Sequence, residues 1–94
     1  MSNITITEDQ IRTIIAESEI KTYKFGNKTT VVHAVLPNGF VMVESSCCVD
    51  PENFDEVIGY DICMNRIANK IWELEGYALQ KKVAEDDKSE KIWL

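Results

Sequence analysis

The chain has 94 residues, 45% of them hydrophobic and 28% charged, and its formal net charge is −6. This length predicts a single domain over residues 1–94 with a thin core. The acidic balance argues against binding to the backbone of DNA or RNA. No apolar run approaches the roughly 20 residues of a membrane span, so no membrane partner is expected.

The first element is predicted to be a short helix over about residues 8–18. Thr7 is suited to the N-cap, and Gln10 follows at the spacing of a capping box. Three isoleucines share one face of this helix: Ile11, Ile14 and Ile15.

An antiparallel meander of three strands is predicted next, over about residues 20–25, 28–36 and 40–46. Gly26-Asn27 is suited to a two-residue turn with glycine first, and Asn38-Gly39 to a type I′ turn. The second strand is rich in β-branched residues, which favour extended structure. The expected fold class is therefore α+β.

A long helix is predicted over about residues 51–83, because Asp50 suits an N-cap and Pro51 suits the first helical position. Residues 84–94 are expected to form a mobile charged tail. The long helix carries two apolar stripes. The first contains Tyr60, Cys63, Met64, Ile67, Ile71, Leu74 and Ala78. The second contains Phe54, Val57, Ile58 and Ile62 and continues through Asn65 and Asn69 to Trp72.

One small sheet covers one stripe, so the second is expected to pair with the long helix of another protomer. The alternative is that the N-terminal helix covers it, although that helix is much the shorter. Homo-oligomerisation is therefore the expectation from the pattern alone.

Catalytic chemistry finds little support in the sequence. His33 lies mid-strand, which favours a sheet residue over a general base, and Cys47 and Cys48 have no partner base nearby in sequence. One histidine without a Cys-x-x-Cys pair predicts no zinc site. Three cysteines, an odd number, and an N-terminus without a secretion pattern fit a reducing cytoplasm. We expect neither an enzyme nor a bound cofactor.

One segment does suit a ligand. Lys28, Thr29 and Thr30 follow the Gly26-Asn27 turn, and their ammonium and hydroxyl groups are suited to phosphate oxygens. Tyr23, Lys24 and Phe25 precede the turn and are candidates for stacking on a base. The alternative is an ordinary solvated strand start.

Residues 38–80, NGFVMVESSCCVDPENFDEVIGYDICMNRIANKIWELEGYALQ, resemble a family of small tailed-phage proteins, and the upstream FGNKTTVV extends the likeness. This family includes the anti-CBASS sponge, which sequesters cyclic nucleotide messengers of bacterial immunity. The resemblance implies a homo-hexamer assembled through helix pairing, in the cytoplasm of the infected host. It would bind cyclic dinucleotides such as cGAMP between protomers without cleaving them. Some members of the family also hold cyclic trinucleotides.

The resemblance also implies site residues. Lys28 and Thr30 match the family's lysine and threonine that hold the dinucleotide. The family's stacking aromatic on the N-terminal helix is missing, because residues 1–22 contain no aromatic. Its replacement is expected to be either an apolar platform, Ile11 or Ile14, or a ring from the strand, Tyr23 or Phe25. The candidates for a second, trinucleotide site are Arg66, Asn65 and Asn69.

Three alternatives stay open. The first is a sponge for the cyclic ADP-ribose isomers made by TIR-domain enzymes, to which related phage sponges bind. The second is a small adaptor that binds a host protein through the exposed helix stripe or the terminal Ile92-Trp93-Leu94. The third is an enzyme that degrades the messenger.

Overall fold

The structure is a computed structural model that describes the backbone of residues 5–92 and the side chains of residues 5–86. Its elements are α1 (Glu8–Ala16), β1 (Glu19–Phe25), β2 (Thr29–Val35), β3 (Val41–Cys47), a 3₁₀ turn (Pro51–Asn53) and α2 (Glu56–Ile92). The α+β class and the predicted element order are confirmed.

The start of α1 follows its sequence signal. Thr7 Oγ1 accepts a hydrogen bond from Gln10 N at 3.2 Å, and Gln10 Oε1 accepts one from Thr7 N at 2.7 Å. This reciprocal pair is the predicted capping box. The helix ends at Ala16, two residues before the predicted end, with Glu17 as its C-cap.

The three strands form one antiparallel sheet in the order β1-β2-β3. Both turns differ from prediction. The first connection has three residues rather than two, because Phe25 pairs with Thr29, so Lys28 lies in the turn. In the second, Gly39 N donates to Leu36 O and Gly39 has φ of 92°, while Asn38 does not have positive φ. Pro37, with its φ near −65°, suits a type I turn there, and Gly39 takes the left-handed position after it.

The long helix begins later and ends later than predicted. Asp50 caps the 3₁₀ turn, with Oδ1 3.0 Å from Glu52 N, and Asp55 caps α2, with Oδ1 2.9 Å from Val57 N. The predicted helix start at 51 is therefore wrong by five residues. Residues 84–92, predicted as part of a mobile tail, continue α2. Trp93 and Leu94 lie outside the described residues.

The core lies between α2 and one face of the sheet, with α1 closing one end. Its buried hydrophobic residues are Ile11, Val32, Ala34, Leu36, Met42, Cys63, Ile67 and Ile71. Two polar contacts also join α2 to β3. Lys70 forms an ion pair with Glu44, and Arg66 Nη1 donates to Ser45 O at 2.6 Å.

The two apolar stripes of α2 have different environments. In the first stripe, Cys63, Ile67 and Ile71 are fully buried against the sheet. In the second, Val57 is 68% exposed, and Ile58 and Trp72 are also exposed. The expectation that one stripe stays uncovered in the single chain is confirmed, and α1 does not cover these residues. Pairing of helices between protomers remains a prediction.

Candidate functional site

The side chains at the β1-β2 end of the sheet divide between two faces. Thr30 and its cross-strand partner Lys24 face α2, whereas Tyr23 and Phe25 alternate to the opposite face. Thr30 is 2% exposed, because α2 packs directly over it at Gly59. A Cβ on Gly59 would lie 2.4 Å from Thr30 Oγ1. This contact places the N-terminal end of α2 beside the β1-β2 turn.

A pocket of about 80 Å³ opens at this junction. Lys28 and Thr30 both line it, together with Ser46 from β3 and Phe54, Asp55 and Gly59 from the start of α2. The Lys28 backbone is held in place because its carbonyl oxygen accepts from Cys48 N at 3.0 Å. The structure therefore places Lys28 and Thr30, the two residues that the sequence resemblance indicates, in the lining of one pocket.

A second cavity, of about 160 Å³, adjoins the first. Its lining residues include Lys24, Thr22 and Glu56, and it shares Thr30 and Phe54 with the first pocket. We call the two cavities together the Phe54 groove. The Lys24 ammonium nitrogen lies 4.5 Å from the centroid of the Phe54 ring, a cation–π contact.

The position of Phe54 follows from the local chain path. The 3₁₀ turn ends at Phe54, whose backbone is extended, with φ of −63° and ψ of 130°, and whose N–H donates to Pro51 O at 3.2 Å. Asp55 then begins α2 by accepting from Val57 N and Ile58 N. The Asp55 carboxylate therefore accepts hydrogen bonds from the first amides of α2, and Asp55 also lines the first pocket.

Two lysines therefore flank a half-buried aromatic ring and a buried threonine hydroxyl. Lys28 is exposed, and Lys24 is exposed above the ring. Ammonium groups and a threonine hydroxyl are suited to phosphate oxygens, and an aromatic ring is suited to a planar base. The groove thus places donors suited to phosphate beside a ring suited to a base, as a ligand with a phosphate and a heterocyclic base would need.

Several predicted site residues lie elsewhere. Ile11 belongs to the hydrophobic core and, unlike Thr30, lines neither cavity of the groove, so its side chain is not placed as a platform there. Ile14 lines a different cavity, of about 370 Å³, with Leu36, Phe40 and Leu74. Neither residue lines a cavity with Lys28 or Thr30.

The outer face of the sheet holds three further candidates. The rings of Tyr23 and Phe25 pack on each other there, with centroids 6.3 Å apart. Tyr23 is also one of the residues that border the second cavity. Thr29 Oγ1 lies 3.4 Å from Cys47 Sγ; Cys47 lines the first pocket, whereas Thr29 lines neither cavity of the groove. Among the candidates for the first site, Lys28 and Thr30 meet in the first pocket, and Tyr23 borders the adjoining second cavity.

The second predicted site is not assembled in the single chain. Arg66, Asn65 and Asn69 are exposed on α2, and none of them lines the Phe54 groove. Arg66 is already engaged by the Ser45 carbonyl.

The thiols differ in environment. Burial raises the pKa of the Cys63 thiol, which approaches Thr30 O at 3.9 Å. Cys47 is exposed, and Cys48 Sγ donates to Asp50 O at 3.3 Å. Among the described side chains, those of residues 5–86, no cluster of three or more His, Cys, Asp or Glu is arranged to hold a metal. No helix in the described backbone, residues 5–92, is long and apolar enough to cross a membrane.

Sequence reasoning missed Phe54 as a site residue, and it named Lys24 only among the residues before the turn, not as a cation that faces α2. Phe54 was assigned to the second stripe because the predicted helix began at residue 51, ahead of the true start. The alternation of Ile20, Thr22 and Lys24 along β1 is the signal that places Lys24 on the helix-facing side.

The fold and groove define a small α+β protein with two small adjoining cavities at a sheet–helix junction. Comparison with known families identifies it further: residues 6–83 match the Phage protein (N4 Gp49/phage Sf6 gene 66) family. The match covers most of the chain, so the protein belongs to this family. No curated protein and no solved structure is significantly similar to it.

Proposed function

We propose that this protein binds cyclic nucleotide second messengers and sequesters them without cleavage, and so prevents activation of CBASS effectors in the infected bacterial host. The observation that carries the proposal is the meeting of Lys28 and Thr30 in one pocket beside an aromatic ring. Membership of the phage family supports the biological setting.

The overall charge of −6 does not by itself decide the charge at the groove, whose lining contains two carboxylates, Asp55 and Glu56, as well as two lysines. Lys24 and Lys28 both border it, and charges more than about 8 Å away are largely screened at physiological salt. A cyclic dinucleotide carries two phosphates and two bases. Lys28 and the Thr30 hydroxyl are assigned to one phosphate.

The size of the groove requires a second protomer. Its cavities measure about 80 and about 160 Å³, whereas pockets for drug-sized ligands usually measure about 300–1,000 Å³. The exposed second stripe of α2 begins beside the groove, since Ile58 both lines the first pocket and is exposed. Pairing through this stripe, within the proposed hexamer, would add walls to the site.

Sequestration sets an energetic requirement. A nanomolar complex needs about −12 kcal/mol. Charge-assisted hydrogen bonds to phosphates and stacking on bases supply the largest contributions when water is excluded. A closed pocket between protomers meets this condition better than an open groove.

The remaining alternatives differ in what they bind. Cyclic ADP-ribose isomers share phosphates and an adenine with the dinucleotides, so the same groove chemistry would accept them. An adaptor for a host protein would instead use the second stripe, where Val57, Ile58 and Trp72 are exposed. The cyclic trinucleotide site at Arg66, Asn65 and Asn69 would have to form between protomers.

Calorimetric titration tests the proposal. Purified protein is titrated with cyclic GMP–AMP, cyclic di-GMP, cyclic triadenylate and cyclic ADP-ribose isomers, with linear pApG as the matched control. Sub-micromolar binding of at least one cyclic dinucleotide, and much weaker binding of pApG, is expected. Absence of binding to every cyclic dinucleotide would overturn the proposal, and binding of cyclic ADP-ribose alone would reassign the messenger.

A further inference from the structure

The Phe54 ring stands where the two cavities of the groove meet. It lines both, is half-buried, and is held by the 3₁₀ turn on one side and the α2 N-cap on the other. The main chain that carries the ring is therefore fixed on both sides. The half-buried ring offers an apolar surface at the junction of the two cavities.

One face of the ring is covered by a flexible charged side chain. The Lys24 ammonium nitrogen sits 4.5 Å from the ring centroid. Lys24 is on β1, an edge strand of the sheet, and its side chain is exposed. A long lysine side chain can leave such a contact at little cost, because exposed cation–π contacts contribute only about 0.5–1 kcal/mol.

We infer that Phe54 is the platform on which one base of the cyclic dinucleotide stacks, with Lys24 moving from the ring face to the neighbouring phosphate. This inference rests on the proposed function. The base takes the cavity of about 160 Å³ beside Lys24, and Lys28 with Thr30 holds a phosphate in the adjoining pocket.

The other aromatic rings near this end of the sheet are less suited to the role. Phe25 lines neither cavity, and the Tyr23 ring, which borders only the second cavity, lies on the outer face of the sheet and packs on Phe25. Phe54 is the aromatic that shares lining with both Lys28 and Lys24. The platform thus comes from the segment that leads into α2 rather than from α1.

The stacking role is tested with Phe54→Leu, which keeps an apolar side chain but removes the ring face. Phe40→Leu is the matched control, because Phe40 is an exposed ring at the second hairpin, away from the groove. Cyclic GMP–AMP affinity is measured by calorimetry, and folding by circular dichroism. Phe54→Leu is expected to bind about tenfold more weakly, and Phe40→Leu to bind as the unaltered protein does.

A second variant gives a readout that a structural role alone would not change. In Phe54→Trp, the indole is expected to retain binding and to lose fluorescence as the base stacks on it. The comparison is the unaltered protein, which carries its own Trp72 and Trp93. This variant decides the matter if Phe54→Leu fails to fold.

The role of Lys24 is tested with Lys24→Gln against Lys21→Gln, whose side chain alternates to the outer face. A loss of about fivefold or more is expected for Lys24→Gln alone, with a weaker salt dependence of binding.

The outcomes distinguish failure of the Phe54 inference from failure of the proposed function. Binding by Phe54→Leu at the unaltered affinity, with loss in Lys28→Ala, would overturn the inference and leave the proposed function standing. An unquenched Phe54→Trp that still binds would do the same. Failure of the unaltered protein to bind any cyclic dinucleotide would overturn both.

Discussion

Gly59 of α2 and Thr30 of β2 are in such close contact that even a methyl group has no room between them. A Cβ on Gly59 would lie 2.4 Å from Thr30 Oγ1 and 2.9 Å from Thr30 Cβ. Distances this short require one element to move. Both residues line the first pocket, so their contact forms part of its wall.

Gly59→Ala is therefore expected to destabilise the protein. Displacement of packed elements costs about 1–3 kcal/mol, and the gain of about 1 kcal/mol in helix propensity offsets part of it. Gly76→Ala is the matched control, since it lies in the same helix with nothing within 4 Å of the added Cβ. It should stabilise the protein by up to about 1 kcal/mol. Urea unfolding measures both, and equal shifts in the two variants would contradict the packing argument.

Lys28→Ala is expected to weaken cyclic dinucleotide binding at least about tenfold, which corresponds to about 1.4 kcal/mol. Stability should change by less than about 0.5 kcal/mol, because the Lys28 side chain is exposed at a turn. Lys21→Ala, an exposed lysine on the other face, serves as control in the same titration. Unchanged affinity in Lys28→Ala would remove this residue from the site.

Trp72→Glu is expected to convert the proposed oligomer to smaller species, because it places a charge within the exposed second stripe. Sedimentation velocity measures the change in mass, with Glu73→Gln as the neighbouring control. Binding of the cyclic dinucleotide should weaken in parallel if a second protomer completes the groove. Full binding by a monomeric Trp72→Glu protein would show that the single chain suffices.

The buried thiol of Cys63 gives a pH prediction. Burial raises its pKa in the folded state, so folded and unfolded chains are both protonated at neutral pH. As the pH rises past about 8.5, the unfolded thiol loses its proton first, and the free energy of unfolding falls. The fall between pH 8 and pH 10 should be smaller in Cys63→Ala than in the unaltered protein. Cys47→Ala, at an exposed thiol, is the control, and equal falls in all three proteins would contradict the prediction.

The sequence predicts the order of elements well, because local signals decide it. The Thr7–Gln10 capping box, the glycine turns and the β-branched run of β2 each depend on neighbours in the chain. The start of α2 is less predictable, since Asp50 and Asp55 both have capping chemistry and sequence alone does not rank them. The last part of α2, up to Ile92, contains acidic and basic residues close together in sequence. Pairs of opposite charge three or four residues apart stabilise an exposed helix.

The site is only partly readable from sequence. Lys28 and Thr30 were predicted together, and they meet. Phe54 was missed because the helical period was extended backward through residues that form a 3₁₀ turn instead. Ile11 was proposed as a surface platform although it lies in the core, since amphipathic spacing in α1 does not distinguish a core face from a ligand face.

The proposed function rests on the claim that the protein holds a messenger and releases it intact. The most direct test mixes the protein with cyclic GMP–AMP, removes unbound ligand by filtration, heats the retained protein and identifies the released compound by mass spectrometry. Depletion of the ligand and its recovery unchanged after heating is the predicted result. Recovery of a linear or hydrolysed product would contradict the claim by indicating an enzyme, and absence of depletion would contradict it by showing that the messenger is not bound.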